Sequence, residues 1–418
     1  MATSKADDCA PTGSPLLSVE AGRQQILDAV AVIEGSERVQ LRDLSGRVLA
    51  EPVVSAIDVP PFDNSAMDGY ALRSADCGDP ETRLRVIGSC FAGAPYTGEI
   101  QAGQCVRIMT GAALPAGADA VVMQEHAMRD GDTLLLQGRQ PRVGENVRYA
   151  GEDSRHGTVV LAPGTRLGAA EIGLLASVGV AEVQVRPRLR VAFFSTGDEL
   201  TAVGKALAPG QIYDSNRYML GALLSRAGVV CHDLGVVADD RQAVREAFRQ
   251  AGEIADLVLT SGGVSVGEAD YVTETLQELG EIHFWRMAMK PGKPLAFGRL
   301  RNAWFFGLPG NPVSVMATFY QFVLPALRKL QGETARTPLI IRVRNTETLK
   351  KSAGRMEFQR GILERDERGE WCVTSSGRQG SHLLTSMTRA NCFILLPAEC
   401  ATVEAGELVD VQPFCDFG

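Results

Sequence analysis

Paired cysteines are missing from this sequence. Its nine cysteines stand at positions 9, 77, 90, 105, 231, 372, 392, 400 and 415. The count is odd, no C-x-x-C occurs, and His232 beside Cys231 is the single close Cys/His neighbour. Neither a disulfide framework nor a zinc site is indicated, and the thiols read as reduced. Histidine is scarce as well. His126, His156, His232, His283 and His382 stand apart from one another, and none is assigned as a general base. Positive charge is in deficit, with 42 Lys and Arg against 50 Asp and Glu, a net −8. That balance favours solubility and argues against broad nucleic-acid binding, while leaving room for a local basic pocket. No run approaches the roughly 18 apolar residues of a membrane span, and "MATSKADDCAPTGSP" has no apolar signal core. The expectation is a cytoplasmic chain without membrane segments, with a disordered lead-in over 1–16. A Walker A loop and a G-x-G-x-x-G are both lacking. A standard P-loop NTPase and a Rossmann dehydrogenase are thereby disfavoured.

What is present is enough apolar residue, 45% against 22% charged, for an ordinary globular protein. At 418 residues it needs more than one core. "LSVEAGRQQILDAVAVIE", 17–34, has helical spacing, with Ile26, Val30 and Ile33 on one face and Ser18 as N-cap. From 57 to 147 short strands and turns follow, with a hairpin signal at Asp130-Gly131. Residues 157–185 read as strand, Pro-Gly turn, helix and strand. The simplest topology treats 57–147 as an inserted β-rich domain, with 17–56 and 148–186 forming one mixed module around it. From 187 to 336 apolar strands alternate with helices, as in a parallel sheet covered on both faces. Residues 337–418 return to alternating strands and predict a small β-barrel. The fold class is therefore multidomain α/β: a three-layer α/β domain, an inserted β-rich domain, an N-terminal mixed module and a C-terminal barrel.

In such sheets ligands lie beyond the carboxyl ends of the strands, so the post-strand loops are where chemistry is expected. "STGDEL" brings Asp198 and Glu199, "VADD" brings Asp239 and Asp240, and "TSGGVSVGEADY" brings Glu268 and Asp270. "MKPGKP" holds Lys290 and Lys293 in a Pro/Gly turn, and "GLPGNPVS" enters the next helix. Carboxylates shared with substrate phosphates are the usual setting for Mg²⁺, and the bare amides of Gly262 and Gly263 can cradle a phosphate or a pterin. The residues point to a phosphorylated ligand with a divalent metal between it and the acids. Each piece also has a plain structural role. Asp239 or Asp240 can cap the helix at "RQAVREAF", Asp270 can cap the next one, and the Pro-Gly steps can be turns.

Taken together, "VPPFDNSAMDGYALR", "RIMTGAALPAGADAVV", "VRYAGEDSRHGTVVLAPGTRL", "FSTGDEL", "QIYDSN", "TSGGVSVGEADYV", "KPGKPLAFG" and "GLPGNPVS" resemble the molybdopterin molybdenumtransferase (MoeA) family. The E domains of gephyrin-like proteins are related to it. The likeness runs from about residue 17 to the end. It implies a homodimer whose third domain binds molybdopterin, and insertion of molybdate into adenylylated molybdopterin with Mg²⁺ as AMP leaves. By motif, Glu199, Asp239 and Asp270 match the metal-and-phosphate acids. Gly262, Gly263 and Ser265 match the substrate-binding loop. Lys290, Lys293, Ser314, Arg360 and Ser381 match the molybdate and terminal-phosphate pocket, with Pro309 and Pro312 shaping the loop beside it. Asp68 and Thr110 match residues that reach this pocket from the partner subunit. A molybdopterin adenylyltransferase is the implied partner protein. Arg286 departs from relatives that carry lysine there, and an arginine fork does not replace a lysine point charge. Two other activities remain open at this point: molybdopterin adenylylation, disfavoured by the three additional domains, and a gephyrin-like scaffold, disfavoured by the complete acid and lysine set.

Overall fold

The computed structural model describes residues 16–79, 81–137, 140–262 and 271–414. Two compact units result: one takes the chain through residue 37, residues 46–48 and everything from 186 onward, and the other takes 38–45 and 49–185.

The second unit is built on a six-stranded sheet. Its spatial order is Ala120–Met123, Gly69–Leu72, Gln104–Ile108, Arg83–Cys90, Thr133–Leu136 and Ala127–Asp130. The last two form the expected hairpin. Asp130 faces Thr133, and Gly131 takes φ +58°, a left-handed value that suits a two-residue turn. A smaller core of Leu44, Leu49, Leu167, Leu175, Val183 and Val185 joins the segments on either side of the insertion, where Val53–Val54 pairs with Val159–Leu161.

The predicted helix of 17–34 is shorter, Val19–Ala29. Ser18 caps it by accepting from Ala21 N at 3.1 Å, and Val30 is already extended. It also packs elsewhere than the grouping of 17–56 with 148–186 anticipates. Val19, Ile26 and Val30 enter the core of the first unit with Leu327 and Leu330. An apolar stripe goes where matching apolar area is available, and here that is the helix near 324–330.

The first unit carries a sheet of β1 (Arg190–Thr196), β2 (Val230–Val237), β3 (Leu257–Ser261), β4 (Gly280–Arg286), β5 (Pro294–Leu300) and β6 (Ala303–Leu308), in the order β2-β1-β3-β6-β5-β4. Helices cover both faces. Ser215–Arg226 and the 312–330 segment bury one side, and Arg241–Ile254 and Tyr271–Leu279 the other. The predicted all-parallel sheet needs one correction: β5 runs antiparallel to both β4 and β6. The turn between β4 and β5 is too short for a parallel crossover, which takes a dozen or more residues. The change matters for the site. Ser195 is level with Ser261, Ser261 with Leu308, Gly307 with Ala296, and Arg286 with Pro294. The carboxyl ends of β1, β2, β3, β4 and β6 therefore share one edge with the start of β5.

The C-terminal region closes as a five-stranded barrel: Met356–Arg365, Trp371–Ser375, Ile341–Asn345, Leu408–Pro413 and Cys392–Leu396, which returns to pair with the first. A short strand, Met289–Lys290, pairs with Met356 and Glu357. It ties the barrel to the rim of the α/β sheet.

Candidate functional site

Beyond β1 the chain turns through Gly197 at φ +141°, where a Cβ would collide with the Glu199 carboxylate. Asp198 and Glu199 follow, both exposed. Beyond β2, Asp239 N donates to Asp198 Oδ1 at 3.1 Å, so the two acidic loops touch. The question of which aspartate caps the next helix is answered by Asp240, whose Oδ1 accepts from Gln242 N (2.9 Å) and Ala243 N (3.0 Å). The Asp239 carboxylate is left at the exposed rim. Beyond β3, Gly262 takes φ +90°, donates to Leu308 O at 3.2 Å, and would set a Cβ 2.9 Å from Thr196 O. Glycine is required there on both counts. Gly263, Ser265, Glu268 and Asp270 lie outside the described residues. Among the described residues no three His, Cys, Asp or Glu gather as a metal site.

The basic turn is less open than its sequence implies. Lys290 Nζ lies 3.3 Å from Glu357 Oε1, a carboxylate whose side chain is 8% exposed. The other oxygen, Glu357 Oε2, accepts from Gln359 Nε2 at 2.9 Å. Lys293 is half-buried, and its main-chain oxygen accepts from Met287 N at 2.7 Å. Arg286, opposite Pro294, receives Leu17 N on its main-chain oxygen. Arg360 is 1% exposed. Its guanidinium donates to Ser386 Oγ (3.0 Å) and to the main-chain oxygens of Arg378 (3.3 Å), Gln379 (3.2 Å) and Gly380 (3.0 Å). Burial pushes its pKa down to about 10, which leaves it charged at neutral pH. Arg360 thus shapes the loop that leads to Ser381, and its hydrogen bonds go to that loop. Ser381 O in turn accepts from Val313 N at 3.1 Å. That contact joins the barrel loop to the helix opened by Pro312, a residue suited to a first turn because it lacks an N–H. Pro309 and Ser314 are buried beside it.

In the other unit, Asp68 and Thr110 are both exposed and bonded to each other. Asp68 Oδ1 accepts from Thr110 N and from Thr110 Oγ1, each at 2.8 Å.

Two residues escape motif reasoning. Glu357 holds Lys290 from a barrel strand 67 residues away, and nothing local to either one signals the pair. Asn216 ties two rim loops, donating to Ser261 Oγ (2.8 Å) and Gly310 O (2.6 Å). Its place two residues after the helix cap Asp214 is the one sequence cue, since helices here begin at the carboxyl rim.

Family models cover most of the chain: the MoeA N-terminal region (domain I and II) over 17–179, a probable molybdopterin binding domain over 192–329, and the MoeA C-terminal region (domain IV) over 342–414. A molybdopterin molybdenumtransferase of Haemophilus influenzae is 46% identical over 400 residues, covering 96% of this chain and 99% of the relative. Gephyrin of Dictyostelium discoideum is 33% identical over 89% of this chain and 58% of its own length. A molybdopterin biosynthesis MoeA protein from Pyrococcus horikoshii superposes with a TM-score of 0.82 at 30% identity, across 96% of this chain and 100% of that one. With three successive family matches and full-length relatives, this chain belongs to the MoeA family of molybdopterin molybdenumtransferases.

Proposed function

We propose that the chain inserts molybdate into adenylylated molybdopterin, with Mg²⁺ required and AMP released, so that the dithiolene sulfurs receive the metal. The observation that carries this is the shared edge of one sheet. There the acids of two touching loops, the glycine turn at Gly262 and the lysine turn at 290–293 lie on neighbouring strand ends. A dianionic oxyanion and a pyrophosphate group ask for such a division of labour.

Hard carboxylate oxygens at Glu199 and Asp239, exposed rather than consumed by helix capping, fit an ion that keeps waters and takes phosphate oxygens. Those two, with Asp270, would hold Mg²⁺, which when bound supplies positive charge to the pyrophosphate. Lys290, Lys293 and Ser381 present the molybdate. Arg360 acts through the 378–380 loop, and Pro309, Pro312 and Ser314 fix the helix start beside it. Gly262, Gly263 and Ser265 carry the pterin nucleotide.

Asp68 and Thr110 enter as groups contributed by a second copy, in a homodimer with shared sites. An adenylyltransferase supplies the nucleotide, and the setting is the cytoplasm. Incubating the purified protein with adenylylated molybdopterin, molybdate and Mg²⁺ should release AMP and yield molybdenum cofactor. Adenylylation of free molybdopterin by ATP, with no molybdate-dependent AMP release, would replace this reading with an adenylyltransferase. Mixing Asp68→Ala with Asp270→Ala chains should restore part of the activity, because one of the two sites in a mixed dimer stays intact. No recovery under proven subunit exchange would refute the shared site.

A further inference from the structure

The α/β sheet reverses its strand order between β1 and β3, with β2 added on the far side of β1 and β6 on the far side of β3. Open α/β sheets form a ligand crevice at such a switch point. Ser195 and Ser261 lie level at the carboxyl ends of these two strands, on the face that carries Phe193 and Leu259. The helix Ser215–Arg226 lies over the same face, where Gly221 sits close to the Phe193 ring.

Asn216 occupies the first turn of that helix, over the crevice. Its Nδ2 is fully used, donating to Ser261 Oγ at 2.8 Å and Gly310 O at 2.6 Å. The Gly310 carbonyl has no hydrogen to give, so it fixes which way the amide points and leaves Oδ1 as a pure acceptor. That Oδ1 is buried with no protein partner among the described residues, and so is Ser195 Oγ, whose residue is 1% exposed. Buried polar atoms are paired in the great majority of cases. Thr196 Oγ1 and Thr260 Oγ1, at the ends of the same two strands, are also buried without a partner among the described residues; of these atoms, Asn216 Oδ1 can only accept, which marks a ligand that brings a donor.

We infer that Asn216 recognises the pterin ring of the substrate, its Oδ1 accepting a hydrogen from the ring's amino-pyrimidinone edge, with Ser195 Oγ as the second contact. This rests on the proposed substrate class and deepens it. An ionised phosphate has no hydrogen to donate and would be repelled by Oδ1. The crevice between β1 and β3 therefore takes the ring, and the phosphate end falls to the acidic and lysine loops farther along the rim.

The test measures adenylylated molybdopterin binding by pterin fluorescence, together with the molybdate concentration that half-saturates insertion. Asn216→Ala should weaken nucleotide binding about tenfold, as expected for one lost buried hydrogen bond, and leave the molybdate requirement unchanged. If Asn216 merely ties loops together, its loss shifts Gly310 and the neighbouring 309–314 segment, and the molybdate requirement rises as well; that result overturns the inference. Ser195→Ala guards against a folding defect. It removes an unpaired hydroxyl, so its urea midpoint should stay level or rise while nucleotide affinity drops several-fold. Unchanged affinity in either variant also overturns the inference. Wild-type protein that fails to bind the nucleotide at all would overturn the functional proposal, and the ring contact with it.

Discussion

Asp68 and Thr110 meet at a single oxygen: the main-chain N–H and the hydroxyl of Thr110 both donate to Asp68 Oδ1. These bonds, the backbone one first and the hydroxyl next, hold the Asp68 carboxyl below its ordinary value of 3.8. A carboxyl with a depressed folded pKa contributes stability that is present above its unfolded pKa and is lost as pH falls through the folded one. Asp68 should therefore stay ionised, and the link to Thr110 intact, until the pH drops below the ordinary aspartate range. Carbon-13 NMR titration of the carboxyl checks this. Thr110→Val keeps the stronger backbone donor, so the midpoint should rise part of the way. A return to the ordinary value would assign the whole effect to the hydroxyl.

The adjacent aspartates 239 and 240 should separate cleanly on mutation. Asp240→Ala removes both cap bonds of the helix Arg241–Ile254 and should cost about 1 kcal/mol of stability, with the magnesium requirement for insertion unaltered. Asp239→Ala should do the reverse, leaving the urea midpoint nearly unchanged and raising the magnesium needed for half-maximal rate. Equal magnesium dependence in the two variants would remove Asp239 from the proposed metal ligands.

Lys290 and Glu357 form a pair with unequal burial, the lysine side chain 47% exposed and the glutamate 8%. Removing the lysine strands a buried carboxylate that keeps its hydrogen bond from Gln359, a change that should cost about 1–3 kcal/mol. Lys290→Ala should thus lower the unfolding midpoint, and adding Glu357→Gln should restore most of the loss by neutralising the stranded charge. A double variant no more stable than the single one would show that the two residues do not interact.

That pair also shows where legibility in the sequence ends. Strand alternation announced the inserted β domain and the barrel, and apolar runs announced the α/β sheet, because periodicity is local. Ser18 as a cap and the hairpin at Asp130-Gly131 were legible for the same reason. The direction of β5 was not, since an apolar run looks alike in a parallel and an antiparallel setting. Arg360 illustrates the same limit at the site. The resemblance places Arg360 among the ligands for anions, yet its donors are engaged by Ser386 Oγ and the carbonyls of residues 378–380. Those partners are set by barrel closure, which no local spacing encodes. Asn216, in "QIYDSN", carries no local signal of its open acceptor either, because an unpaired buried oxygen is a property of packing.

Lys293 offers the sharpest division between holding the pterin nucleotide and using molybdate. It leads directly into β5 at the rim, half-buried, with its main-chain oxygen fixed by Met287 N. Its backbone is therefore placed by the sheet, whatever side chain it carries. Lys290, in the same turn, shares its charge with Glu357. Molybdate is a tetrahedral dianion suited to charge-assisted hydrogen bonds, and loss of one such bond costs about 1.5–3 kcal/mol, roughly ten- to hundredfold in affinity. Lys293→Ala should raise the molybdate concentration needed for insertion by about that factor, while adenylylated molybdopterin still binds. Titrating molybdate against cofactor formation, with nucleotide binding measured separately by pterin fluorescence, checks both halves. Collapse of nucleotide binding at an unchanged molybdate requirement would move Lys293 from the oxyanion to the phosphate.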